Sequence, residues 1–164
     1  MPLAYVTRRT AALGLLLLAR PASAAQSRLC PPPRVLFVCP AGSVKSAIAR
    51  ELLKRQAIPR GLAVDVQSRG VTPEDHISPG LAARLRADGI DPAAEAVRRL
   101  ELADLARADI VIAFDAAAQA PGLAHAQVWD IPSWNGQYDA ARAALAPRIE
   151  ALLDDLATAG CPPS

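Results

Sequence analysis

Several features that would direct the reading of this 164-residue chain are scarce or missing. Aromatics number only two Phe, two Tyr and two Trp, yet 52% of the residues are hydrophobic, which excludes a disordered chain. The three cysteines, Cys30, Cys39 and Cys161, fit no zinc spacing. The two histidines, His76 and His125, lie far from them and read as surface residues, so no metal site is expected. No G-x-G-x-x-G follows an apolar strand, which argues against a dinucleotide fold. No apolar run reaches the roughly 20 residues needed to cross a bilayer. No cofactor is expected. The length suits one domain with a real core and is too short for two.

The first 24 residues differ from the rest. Arg8 and Arg9 precede an apolar run from Ala11 to Ala19, and the small residues Ala22, Ser23 and Ala24 end the segment. This is the pattern of a secretory export signal, and "TRR" partly matches the twin-arginine form. It predicts a periplasmic or secreted protein with no stable membrane span after cleavage. The alternatives are an uncleaved tether, or a cytoplasmic protein with a misassigned start. Residues 1–24 carry three arginines and no acid, so 15 of the 18 basic side chains remain against 16 acidic ones. No basic run survives, and nothing points to nucleic acid. An exported chain could also bridge Cys30 and Cys161.

Residues 25–33 form a proline-rich lead-in, and residues 34–160 form the domain. Val35 to Val38 reads as a strand buried on both faces. A helix starts near Ser46, and Pro59 and Gly61 end it. Leu62 to Val66 reads as a second strand. Ser78 caps a helix with Pro79 at its first position. Residues 93–107 read as an irregular helical stretch, 109–114 as a third strand and 126–132 as a fourth. Asp139 is expected to cap a last helix that Pro147 kinks or restarts. Alternation of strands and helices predicts an α/β domain with a parallel sheet, whose ligands bind past the strands' C-terminal ends.

Cys39 lies at such an end, in "RVLFVCPAGSVKS". The helix that follows offers unpaired N–H groups and a positive dipole end, which bind phosphate-like anions and favour an anionic thiolate. Gly42 permits the left-handed backbone that a tight loop needs. Lys45 adds charge, and Ser43 and Ser46 add hydroxyls. A thiolate facing a phosphate ester can attack phosphorus and form a covalent intermediate.

The stretch "VLFVCPAGSVKSAIARELL" resembles the opening of the low-molecular-weight protein tyrosine phosphatases and the related thioredoxin-coupled arsenate reductases, whose signature is C-x5-R-S. The resemblance continues through "VDVQSRGV", "LAARLRADGID", "LARADIVIAFD" and "VWDIPSW". It implies a three-layer fold with a four-stranded parallel sheet flanked by helices. It makes Cys39 the nucleophile and Ala41, Gly42, Ser43, Val44, Lys45 and Ser46 the phosphate-binding positions. Ser46 would hydrogen-bond the sulfur. Trp134 and Tyr138 would wall the substrate slot. The implied partner is a phosphorylated protein or a small aryl phosphate.

The chain departs from the family pattern in four places. Lys45 replaces an arginine, which keeps the charge and loses the bidentate fork. Pro40 supplies no N–H to the loop. Gly42 replaces an asparagine that braces the loop. Ser133 stands at the aspartate general-acid position, and Asp130, three residues earlier, is the other candidate. The expected function is a cysteine-dependent phosphatase of weak activity acting on phosphotyrosine or aryl phosphate esters through a thiophosphate intermediate. The alternative is an impaired relative that binds phosphate or another oxyanion. Arsenate reduction is disfavoured, because residues 70–110 contain no cysteine and residue 44 is valine.

Overall fold

The computed structural model of the chain describes residues 31–159. The expected export signal, most of the lead-in, Cys30 and Cys161 lie outside them. Four strands, β1 (Arg34–Cys39), β2 (Asp65–Gly70), β3 (Ile110–Phe114) and β4 (Gln127–Trp129), form one sheet. The order is β2-β1-β3-β4, and every neighbouring pair is parallel. Helices α1 (Lys45–Ala57), α2 (Pro79–Ala87), α3 (Leu102–Arg107) and α4 (Tyr138–Thr158) complete the domain. This is the four-stranded α/β architecture that the family resemblance implied. None of the described helices is long and apolar enough to cross a membrane.

Strand β1 is central because both of its faces are apolar. Val35 and Phe37 join a core with Ile48 and Leu53 of α1 and Leu145, Ile149 and Leu153 of α4. Leu36 and Val38 point to the opposite face, with Ala113 and Leu123, against Leu105 of α3. Successive strand residues face opposite ways, so one apolar run serves two cores. The few aromatics are concentrated. Phe37, Phe114 and Trp129 pack with ring centroids 5.8–6.1 Å apart under the C-terminal half of the sheet.

Several expectations need correction. The second strand is Asp65–Gly70, not 62–66, and it pairs in register with β1 from Arg34↔Asp65 to Cys39↔Gly70. Its buried positions are Val66, Ser68 and Gly70, an edge-strand alternation that a search for apolar runs misses. Residues 93–107 are not one helix. A 3-10 turn at Pro92–Ala94 leads into an extended segment, and only Leu102–Arg107 is α-helical. Two tertiary constraints override the alanine-rich propensity. Gly70 exchanges backbone bonds with Arg98 and Leu100 at 2.9 Å each. The buried Arg50 donates to the Pro92 carbonyl at 3.1 Å. The fourth strand is only Gln127–Trp129. Asp139 does not cap α4. It sits in the first turn and pairs with Arg84 at 3.0 Å, while Gln137 holds the cap position. Nor does α4 restart at Pro147; it runs unbroken to Thr158.

Asp104 closes the capping box of α3 and receives a two-pronged bond from Arg69, with Nε and Nη2 each at 2.9 Å. Burial pushes its carboxyl up. The Arg69 fork, the Glu101 N–H and Arg107 outweigh burial and hold it below the usual carboxylate value. A depressed carboxyl contributes stability above its unfolded value of about 3.9 and loses it as pH falls through the lower folded value. Asp104→Asn is therefore expected to lower the denaturation midpoint at pH 7. It should also flatten the loss of stability as pH falls below about 4, read from urea melts at successively lower pH.

Candidate active site

The chain leaves β1 for β2 on one side and returns to β3 on the other, so the strand order reverses at β1. In open parallel sheets, ligands sit at that crevice, beyond the strands' C-terminal ends. Cys39 ends β1 there, and Asp115 follows directly on β3. Helix α1 begins at Lys45 with no side-chain cap on Val44 and no acid in its first turn. Its first N–H groups are thus not satisfied by the chain's own capping residues.

The loop 39–44 turns its carbonyls outward. Those of Cys39, Pro40 and Ala41 accept from the N–H groups of Val71, Thr72 and Glu74 at 3.2, 2.9 and 3.0 Å. Gly42 N–H donates to Cys39 Sγ at 3.1 Å. Gly42 pairs with Glu74 as an isolated parallel bridge, and among the described residues the N–H groups of Ala41 and Val44 donate to no protein acceptor. Pro40 contributes none. Free N–H groups beside a sulfur are chemically able to receive an oxyanion.

Cys39 is buried, and its Sγ lies 3.1 Å from Ser46 Oγ. Ser46 also reaches the carbonyls of Gly42 at 3.3 Å and Arg69 at 3.4 Å. A hydroxyl has one proton, so Ser46 can donate to a carbonyl beside a thiol and turn that proton to the sulfur beside a thiolate. Ser43 Oγ is buried and accepts from His76 N–H at 3.1 Å.

Gly42 has φ +81°, and a Cβ there would lie 2.8 Å from Gly70 N and 2.9 Å from Gly70 Cα. A glycine was expected to allow the loop's shape without holding it. The backbone of β2 and the segment after it do the holding.

Lys45 does not point its charge freely into the loop. Its Nζ meets Asp115 Oδ2 at 2.5 Å and also donates to the Ile131 carbonyl. Asp115 reaches it from φ 53°, the only positive φ outside glycine among the described residues. The sequence reading missed Asp115. The available signal was an acid directly after a buried strand at the sheet's C-terminal edge.

One cleft is lined by Cys39, Lys45, His76, Asp115, Ser133, Trp134 and Asn135. Ser133 and Trp134 are among that lining, the Trp134 side chain being buried. Asp130 is outside this lining; it is exposed, and its carbonyl accepts from Arg148. Tyr138 is not a wall either. It is buried in the first turn of α4, stacks edge-on against Trp134 and donates its hydroxyl to Asp88 at 2.5 Å. Burial, then that bond, push its phenol up to about 12, as expected of a structural hydroxyl. His76 was read as a surface side chain. It is exposed, but on the cleft. His125 is not among the cleft residues.

The central strand of this α/β sheet thus delivers a hydrogen-bonded cysteine into a loop with free N–H groups at an uncapped helix start. Residues 34–146 match the low molecular weight phosphotyrosine protein phosphatase family, and the chain belongs to that family. Among solved structures it is similar to the YwlE arginine phosphatase from Geobacillus stearothermophilus, with TM-score 0.62 and 26% identity over 78% of this chain and 95% of that one. It shares its fold with a thioredoxin-dependent arsenate reductase from Corynebacterium glutamicum, with TM-score 0.61 and 24% identity over 79% of this chain; the match spans only 64% of that protein. The tyrosine phosphatase Wzb from Escherichia coli K30, solved with sulphate, has TM-score 0.61 and 17% identity over 77% of this chain and 99% of that one. No match is found among curated proteins.

Gly42→Ala is expected to cost about 2 kcal/mol or more, from the left-handed backbone and the clash with Gly70 together. Gly80, in α2, has open space and no positive φ, so Gly80→Ala should be neutral or stabilising by up to about 1 kcal/mol. Paired denaturant melts separate the two outcomes.

Proposed function

We propose that this protein is a cysteine-dependent phosphatase that hydrolyses aryl phosphate esters, phosphotyrosine among them, through a thiophosphate intermediate. The observation that carries this reading is Cys39 Sγ held at 3.1 Å by both Gly42 N–H and Ser46 Oγ. A phosphoryl group resting on the free N–H groups would place its phosphorus over that sulfur. The thiolate attacks, the S–P bond forms as the ester P–O bond breaks, and water then releases phosphate. Ser46 stabilises the thiolate before attack and as the leaving group afterwards. Trp134 gives the cleft one apolar wall suited to a ring. Similarity to the arginine phosphatase makes a phosphorylated guanidine the natural competing substrate to assay.

One observation favours a second reading, a family member that binds an oxyanion with little turnover. The Lys45 ammonium is already paired with the Asp115 carboxylate and the Ile131 carbonyl. A charge so committed neutralises developing negative charge less well than a free guanidinium fork.

On the phosphatase reading, the protein hydrolyses an aryl phosphate and Cys39→Ser removes that activity. Lys45→Arg then raises kcat/KM by about 10- to 100-fold, the worth of one further charged hydrogen bond. Phosphate or vanadate that raises the melting temperature while no turnover exceeds the Cys39→Ser background would favour the binding reading.

A further inference from the structure

Ser133 cannot serve as a general acid near neutral pH, and the carboxylate within the cleft, Asp115, is committed to Lys45. The cleft nevertheless contains a proton donor. The segment after β2 runs beside the phosphate loop and bonds to it four times. Val71, Thr72 and Glu74 donate to the carbonyls of residues 39–41, and His76 N–H donates to Ser43 Oγ at 3.1 Å. The His76 carbonyl accepts from Asn135 Nδ2 at 3.0 Å. His76 is thus pinned by its backbone between the nucleophile's loop and the loop of the vacant acid position. Its ring Nε2 lies 2.8 Å from Glu74 Oε2.

Building on the phosphatase reading, we propose that His76 is the general acid of this site and that Glu74 is its positioning residue. Glu74 holds Nε2–H and so sets the ring's orientation, which leaves Nδ1 for the substrate. As the Cys39 thiolate forms the S–P bond and the ester P–O bond breaks, the departing oxygen takes the Nδ1 proton. Products of this step are the free alcohol, the thiophosphate and a neutral imidazole. In the second step water attacks phosphorus and the imidazole takes its proton. The P–S bond breaks, which returns the thiolate and the imidazolium. Lys45 from α1 and Asp115 after β3 are the charged residues of the cleft lining, Glu74 on the same segment pairs with the His76 ring, and Ser133 and Asn135 carry no charge.

A proton donor matters in proportion to how poorly the leaving group carries negative charge. The test compares phenyl phosphate with 2,4-dinitrophenyl phosphate, using the full-length chain, His76→Asn, Glu74→Gln and Cys39→Ser. His76 is exposed and its anchoring bonds are made by its backbone, so the variant is expected to melt as the parent does. The expected result is a loss in kcat/KM of about 100-fold or more on phenyl phosphate with His76→Asn, and of less than about 10-fold on the dinitrophenyl ester. Glu74→Gln should show the same pattern at smaller size. Equal losses on both esters, or none on either, with Cys39→Ser still inactive, would overturn the role of His76 and leave the phosphatase reading standing. Absence of any Cys39-dependent turnover on either ester would overturn both.

Discussion

Gly42 and Gly70 approach so closely that neither has room for a methyl group: a Cβ on Gly70 would lie 2.6 Å from the Ala41 carbonyl oxygen. The rest of the site follows from this backbone contact. It lets the segment after β2 continue alongside the loop after β1, as if the sheet went on past its last residue. The loop's carbonyls are taken up on that side. A loop whose carbonyls face out has its N–H groups left for an anion. The same lacing brings His76 to the cleft that holds Cys39, with Glu74 paired to its ring. Gly70 also pairs with the segment around Arg98 and Leu100, so one glycine joins three pieces of chain. Packing of backbone on backbone holds the loop at Gly42.

The electrostatics of the cleft are arranged differently from a plain cation over a phosphate. Lys45 starts α1, and its side chain ties that start to the ends of β3 and β4 through Asp115 and Ile131. This is a compact charge used as a clamp between three elements. An ammonium can do this with single bonds in several directions, whereas a guanidinium is built for one planar partner. Asp115 takes an uncommon backbone conformation to make the pair. Such conformations persist only where the surroundings impose them, and they gather at functional sites.

Much of the site was legible in the linear chain. An apolar run, a cysteine, a glycine three residues on and a helix start are all local features, and local features survive in sequence. The fold class was legible for the same reason, since Val35–Val38 and Ile110–Phe114 are continuous apolar strands. What could not be read were the features set by contacts between distant segments. The extended path of residues 95–100 opposes the propensity of an alanine- and arginine-rich stretch, and only pairing with Gly70 and anchoring by Arg50 make it so. Asp115 is an ordinary acid after a strand until β3 is placed beside β1. His76 is an ordinary loop histidine until Ser43 and Asn135 fix its backbone. Tyr138 looked like a substrate wall because the family resemblance implies aromatics there, after the acid position. The first turn of α4 points it inward, to Asp88 instead.

The sequence by itself determined the strand that ends in Cys39, the loop after it and the layered α/β scaffold, because strand, turn and helix signals act over a few residues. Tertiary structure alone decided which charges share the cleft. Lys45 and Asp115 are 70 residues apart, and His76 and Asn135 are 59 apart. Strand order is what brings such residues together, and strand order is a property of the whole sheet.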